Sequence, residues 1–444
     1  MSVPPLRLPF LGEDIVRQIS TDASEPEWLL AERMDALGRV ADLPAESNPL
    51  FTPYLDLRAV KFADLAPYPV NGAPGTDSGV AVPEGAAAIV EVAGDAVRGV
   101  AIGDQARDAG LVIDTVANRP DLVRAVIEGG VTLPGDDAFG QVARAISTLS
   151  LVIHLPRGAT LRDPIVVRWR PGDPGRGLIS RTIVVLEHGA SARLLEEQLD
   201  DADAADGSQR LWWGTTEVVL GDEATLEVAA LQDFPSDTVA IVNRHATLGR
   251  DAHLRWALAS VGGVLHKSRI DNRLVGRGSS VRQAEIGFGG GSQLFDLTSY
   301  TRHIGEDTTG DLLSKGVFTD RSRGYIKGLI EIQRSAVGTD SYLGEFGMLL
   351  AKKARSVTIP SLEIDQPNAR RASHSSSVAP IDETQIFYLM SRGLDRETAR
   401  RYIVMGFLEP VVARIPLPAA QDRLRELLDA KWPSEALAEV AAAA

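Results

Sequence analysis

A glycine-led turn recurs seven times along the middle of the chain: Gly158-Ala-Thr-Leu161, Gly189-Ala-Ser-Ala, Gly221-Asp-Glu-Ala-Thr-Leu226, Gly249-Arg-Asp-Ala-His-Leu254, Gly276-Arg-Gly-Ser-Ser-Val281, Gly305-Glu-Asp-Thr-Thr-Gly-Asp-Leu312 and Gly338-Thr-Asp-Ser-Tyr-Leu343. The spacings are 31, 32, 28, 27, 29 and 33 residues, and short alternating segments lie between the turns, with helical periodicity nearly absent. One coil of this size cannot bury its own apolar face; stacked coils share a continuous core. Residues 151–365 therefore predict a β-helix. A β-sandwich also places turns every ~8–12 residues, but its loops have no reason to resemble one another.

The flanks read differently. Across residues 1–75, Ser24-Glu25-Pro26-Glu27 has the form of a capping box ahead of an apolar stripe at Leu30, Met34, Leu37 and Val40. Pro44 and Pro49 end that helix, and the stretch from Pro67 through Asn71-Gly-Ala-Pro-Gly75 reads as a linker with a boundary near residue 75. Residues 76–150 alternate short apolar runs with two helical stretches, a small mixed α/β section. Residues 366–444 return to helix: Asp382 and Asp395 are placed to cap segments ending at Gly393 and before Pro410, a third segment spans 421–432, and an alanine-rich tail is expected to fray.

Composition narrows the chemistry. With 444 residues, 44% of them apolar and 24% charged, the chain has ample material for a buried core. Its net charge of -14 opposes non-specific binding to nucleic acid or an anionic membrane. Cysteine is absent, which excludes a disulfide, a thiol nucleophile, Cys-ligated zinc and a cluster carried on this chain's own thiolates. The N-terminal stretch lacks the pattern of a secretory signal and no run of ~18 apolar residues occurs, so a cytoplasmic protein is expected.

Familiar catalytic motifs fail in turn. Gly287-Phe-Gly289-Gly-Gly291 is followed by an alternating, strand-like segment, where a dinucleotide fingerprint requires a helix. Gly-Lys-Ser/Thr, Gly-x-Ser-x-Gly and His-Glu-x-x-His are all missing, so no nucleotide is expected on this chain and any triphosphate hydrolysis belongs to a partner. His154, His188, His245, His253, His266 and His303 fall in the repeat region and read as hydrogen-bonded structural residues. Asp136-Asp137 and Asp200-Asp201 read as solvated loop carboxylates. His374 differs: Arg370-Arg-Ala-Ser-His374-Ser-Ser-Ser377 sets it in a polar stretch, read as a loop between the last strand and the C-terminal helices, with no apolar face to bury it.

Four stretches together resemble the SufB/SufD family, the scaffold subunits of SUF iron–sulfur cluster assembly. They are Pro26-Glu-Trp-Leu-Leu-Ala-Glu-Arg33; Phe295-Asp-Leu-Thr-Ser-Tyr-Thr-Arg-His303 with Leu313-Ser-Lys-Gly316; Pro360-Ser-Leu-Glu-Ile364 leading to Ser373-His374; and Gln385-Ile-Phe-Tyr-Leu-Met-Ser-Arg-Gly393 with Ile403-Val-Met-Gly-Phe407. The resemblance implies a mainly β protein, a right-handed parallel β-helix flanked by N- and C-terminal α-helical regions. It further implies pairing with a SufB-type subunit through the β-helix and a SufC-type ATPase docked on the C-terminal helices.

The departures are informative. By alignment by eye, Ala354 stands where the SufB branch has a cysteine, Ala372 where SufD proteins often have one, and Ser375 where the SufB branch tends to glutamate. His374 alone survives. The chain cannot accept sulfur as a persulfide, and a lone imidazole cannot hold a cluster. The resemblance thus implies the SufD role, a non-enzymatic subunit lending His374 as one metal ligand to a transient cluster shared with its partner. The alternatives are a paralogue that only stabilises the assembly and, less favoured, a β-solenoid enzyme acting on carbohydrate.

Overall fold

The computed structural model describes residues 5–70, 79–128, 135–199, 207–415 and 417–432. The boundary expected near residue 75, the Asp200-Asp201 pair and the alanine-rich tail lie outside the described residues.

The repeat folds as predicted into a parallel β-solenoid. Successive strands alternate between two ten-stranded sheets, and from Leu149–Leu155 to Arg371–Pro380 each sheet adds one parallel strand per coil, giving eight coils. The recurring turn closes each coil against the one below. Gly189 takes φ 69°, a left-handed conformation that glycine adopts without a Cβ penalty. Gly276 serves a different need, since a Cβ there would run into the backbone of Gly249 and Arg250 in the preceding turn.

Strand alternation sorts the side chains. One face of each strand points into the coil, where stacking produces continuous rows such as Leu194, Val228 and Trp256, all buried. Each fully buried side chain of this size contributes roughly 1.5–3 kcal/mol. Before the first complete coil, Ala88–Ala93 and Ala96–Ile102 extend one sheet and Val112–Thr115 extends the other. The helix Asp104–Asp108 between them adds Ala106 to the interior core.

The outer faces are covered by helices. Glu13–Asp22, Glu27–Asp42 and Ala138–Ile146 pack on one sheet through Val16, Val40, Phe139 and Ile146 against Ile179, Trp213 and Ile241. The indole Nε1 of Trp213 donates to the carbonyl of Phe139 at 3.0 Å. On the other sheet, Ala257, Ala284 and Ile286 receive Val404, Leu408 and Leu424 of the C-terminal helices Arg396–Val412 and Pro418–Ala430. Small residues on the strands let the helices approach closely.

Local expectations fare unevenly. Asp382 and Asp395 cap their helices, accepting from the backbone N–H groups of Thr384 and Thr398, and Gly393 has φ 96°. The capping box does not form: the helix begins at Glu27 after Pro26, Ser24 sits at φ 52°, and Glu25 is drawn instead into a two-pronged bond with Arg33. Pro410 lies inside Arg396–Val412 and does not end it, because Val411 and Val412 are buried and hold the last turn in place.

Candidate functional site

The two sheets end on Arg355–Ile364 and Arg371–Pro380, each hydrogen-bonded to a strand on one side only. The end of the stack therefore presents two neighbouring open edges. His374 lies on the second of them. The serine-rich stretch is thus a strand rather than the loop its composition suggested; the strand extends the coil but encloses nothing, so apolar alternation is not required of it.

Register fixes where the imidazole sits. His374 pairs with Leu343, which pairs with Leu312, then Gln283 and Trp256, and all four of these are buried inside the coils. His374 occupies the next place in that interior row and is exposed because no coil follows. Its side chain has no hydrogen-bond partner among the described residues. Ala372 belongs to the same interior face beside Leu343 and Leu362, whereas Ala354 is buried with Phe295, Leu297, Phe318 and Ile326 in the turn before Arg355. Ser375, between His374 and Ser376, falls on the opposite face of the strand.

A polar row runs beside that of His374. Glu285, Ser314, Glu345 and Ser376 stack in register, and the first three are buried. Burial pushes the Glu285 carboxyl up to about 7, partly offset by hydrogen bonds from the hydroxyls of Ser268 at 3.2 Å and Ser314 at 3.3 Å. Burial likewise holds Glu345 well above the usual carboxylate range; its Oε2 accepts the backbone N–H of Ile359 at 3.0 Å and its Oε1 has no partner.

The other histidines are tied into the fold. His266 bonds Ser260 at 2.9 Å, and burial pushes it down to about 3; His303 bonds Thr308 at 2.8 Å and Ser341 at 3.0 Å, and burial pushes it down to about 4. His154 and His253 meet Glu187 and Ser280, and His188 lies 4.0 Å from Glu223.

His245 is the member whose surroundings sequence reading missed. Its Nε2 lies 3.3 Å from Asp137 and its Nδ1 3.5 Å from Asp271, with all three residues buried. Burial alone would depress its pKa, but the two carboxylates more than offset that and raise it to about 9. Asp137 is accordingly no solvated loop residue: it caps the helix Ala138–Ile146 and is 1% exposed. These groups could in outline hold a metal ion. Arg269 already occupies both oxygens of Asp271, and Asn243 donates to Asp137, so a protonated imidazole fits the charge balance and a dication does not.

The C-terminal helices carry the opposite kind of surface. Phe387 is 72% exposed and Tyr402 64%, with Tyr388 and Met390 also open to solvent. Lys315 fastens this region to the stack, its Nζ donating to the carbonyl of Phe407 at 2.6 Å over the Phe407 ring. Lys315 is therefore a strand residue with a bracing contact. Among the described residues no helix is long and apolar enough to cross a membrane.

The solenoid ends in two open sheet edges, one of them carrying an exposed imidazole. Residues 170–407 match the family model described as SUF system FeS cluster assembly, SufBD core domain, and the chain belongs to that family. It is 23% identical to the iron-sulfur cluster assembly protein SufD of Bacillus subtilis over 440 residues, covering 95% of this chain and 98% of that one. It is 24% identical to an iron-sulfur cluster assembly SufBD family protein of Staphylococcus saprophyticus over 436 residues, covering 94% of this chain and 92% of the relative.

Proposed function

We propose that this chain is the SufD-type, non-catalytic scaffold subunit of a SUF assembly: it pairs with a SufB-type subunit through the open end of its β-helix, carries a SufC-type ATPase on its C-terminal helices, and lends His374 to the nascent cluster. The observation that carries the reading is the position of His374, uncovered in the interior row of the last coil between two unpaired sheet edges. A strand edge offers a line of free N–H and C=O groups to a second strand. A partner that adds strands there brings its own residues over the imidazole.

The donor set suits that division. Neutral imidazole is a competent ligand for iron, and replacing one thiolate by imidazole leaves a less negative cluster that transfers more readily. With no cysteine in the chain, the remaining ligands and the sulfur come from the partner. Exposed Phe387, Tyr388 and Tyr402 support ATPase docking, because aromatic residues anchor interfaces.

The test is to co-express the chain with SufB- and SufC-type subunits and quantify iron and acid-labile sulfide. His374→Ala lowers both while the three subunits still co-purify. Unchanged iron and sulfide in that variant would favour the purely stabilising paralogue.

A further inference from the structure

A histidine that binds metal through one ring nitrogen almost always donates the N–H of the other to a carboxylate, carbonyl or water, which fixes the ring and strengthens it as a ligand. Among the described residues His374 has no such partner. The unpartnered acceptor nearest in register is Glu345 Oε1.

We propose that Glu345 is the positioning residue for His374, accepting its ring N–H once the other ring nitrogen binds iron. The inference rests on the reading of His374 as a ligand. Glu345 pairs with Ser376, two residues along the same interior face from His374. On adjacent parallel strands ~4.8 Å apart, a step of two residues along the strand puts such diagonal neighbours about 8 Å apart at Cα, within reach of long side chains.

Oε1 has its place because the residue facing it is glycine. Gly328, on the facing strand Arg323–Ile332, carries no side chain where a Cβ would lie 2.6 Å from that oxygen. Only Oε2 is engaged, by Ile359 N–H. Lys327, the nearby cation, sits on the outer face and is held by Asp296 at 2.7 Å; it acts on Glu345 only through its field, with no hydrogen bond to Oε1. A carboxyl oxygen offers an acceptor lone pair whether or not the group carries its proton. Glu285 is too far down the row to substitute, and both its oxygens already accept from Ser268 and Ser314.

The experiment measures the rate at which the loaded three-subunit complex surrenders iron to an excess of chelator. Glu345→Leu removes the acceptor but preserves the bulk of the row, and is expected to accelerate loss about tenfold, the low end for a lost partner of a metal-bound histidine. Glu345→Gln keeps an oxygen and stays near the wild-type rate; Glu345→Met replaces the leucine variant if assembly suffers. In a His374→Ala background, Glu345→Leu adds nothing further. Acceleration of the same size in both backgrounds would show a merely structural role and overturn the assignment, as would a Glu345→Leu complex as slow as wild type. If His374→Ala alone accelerates loss and Glu345→Leu does not, only the Glu345 proposal falls; if His374→Ala changes nothing, the ligand reading falls and takes this one with it.

Discussion

His374 stands directly over Leu343 in the ladder that joins Arg371–Pro380 to Asp340–Leu349, yet Leu343 is 1% exposed and His374 is open to solvent. The difference is one coil. A subunit that adds strands to the open edges buries His374 as Leu343 is buried. Modification by diethyl pyrocarbonate, followed by peptide mass analysis, is therefore expected to reach His374 readily in the isolated chain and severalfold more slowly in the complex. Equal rates would mean that the partner leaves this end of the stack uncovered.

The His245 clamp makes stability depend on pH in a defined direction. Its folded pKa of about 9 lies above its ordinary value of 6.5, so the stabilisation is fully present below pH 6.5 and is lost as pH rises through about 9. Asp137 and Asp271 face it, with Arg269 beside both, and Arg302 and Asp136 at the edge of the group. Thermal unfolding is expected to fall between pH 7 and pH 10, with the N-terminal helices loosening from the sheet. His245→Gln flattens that part of the profile; an unchanged slope would contradict the clamp.

Arg181 ties the same helices on at another point. It is buried between Glu217 of its neighbouring strand and Glu32 of the helix Glu27–Asp42, at 2.5 Å and 3.1 Å. Arg181→Met removes the buried cation between the two carboxylates, leaving Glu32 to Arg144 at 2.6 Å, and is expected to destabilise the protein by about 3–5 kcal/mol in denaturant unfolding, the cost of breaking a buried pair from one side. A loss under about 1 kcal/mol would mean that the pair is hydrated as surface pairs are.

Exposure of Phe387 predicts a separation of binding from folding. Phe387→Ser removes no buried contact and should leave the melting temperature unchanged, while weakening capture of a SufC-type ATPase by tenfold or more, as loss of about 2 kcal/mol at an aromatic anchor would. Wild-type affinity in that variant would move the docking surface elsewhere.

The solenoid was legible because its defining signal is local and repeated: each Gly-led turn must nest on the previous one. His374 could be singled out by its polar neighbours, but its strand could not, since a terminal coil has no interior to impose alternation. Asp137 was misread for the complementary reason. Asp136-Asp137 looks solvated when judged by its neighbours in sequence, and its burial depends on His245 and Asp271, over a hundred residues away and joined to it only by packing of Ala138–Ile146 on the outer sheet. Ser24 shows the limit of a short motif, because the Glu25–Arg33 pair outweighs the capping bond that the spacing allows.

The central claim is that His374 nitrogen touches iron. Electron–nuclear double resonance on the reduced, cluster-loaded complex, with 15N-histidine introduced only into this chain, tests it most directly. The account predicts a 15N coupling that disappears in His374→Ala; no coupling in the wild-type complex, or one that persists in the variant, would contradict it.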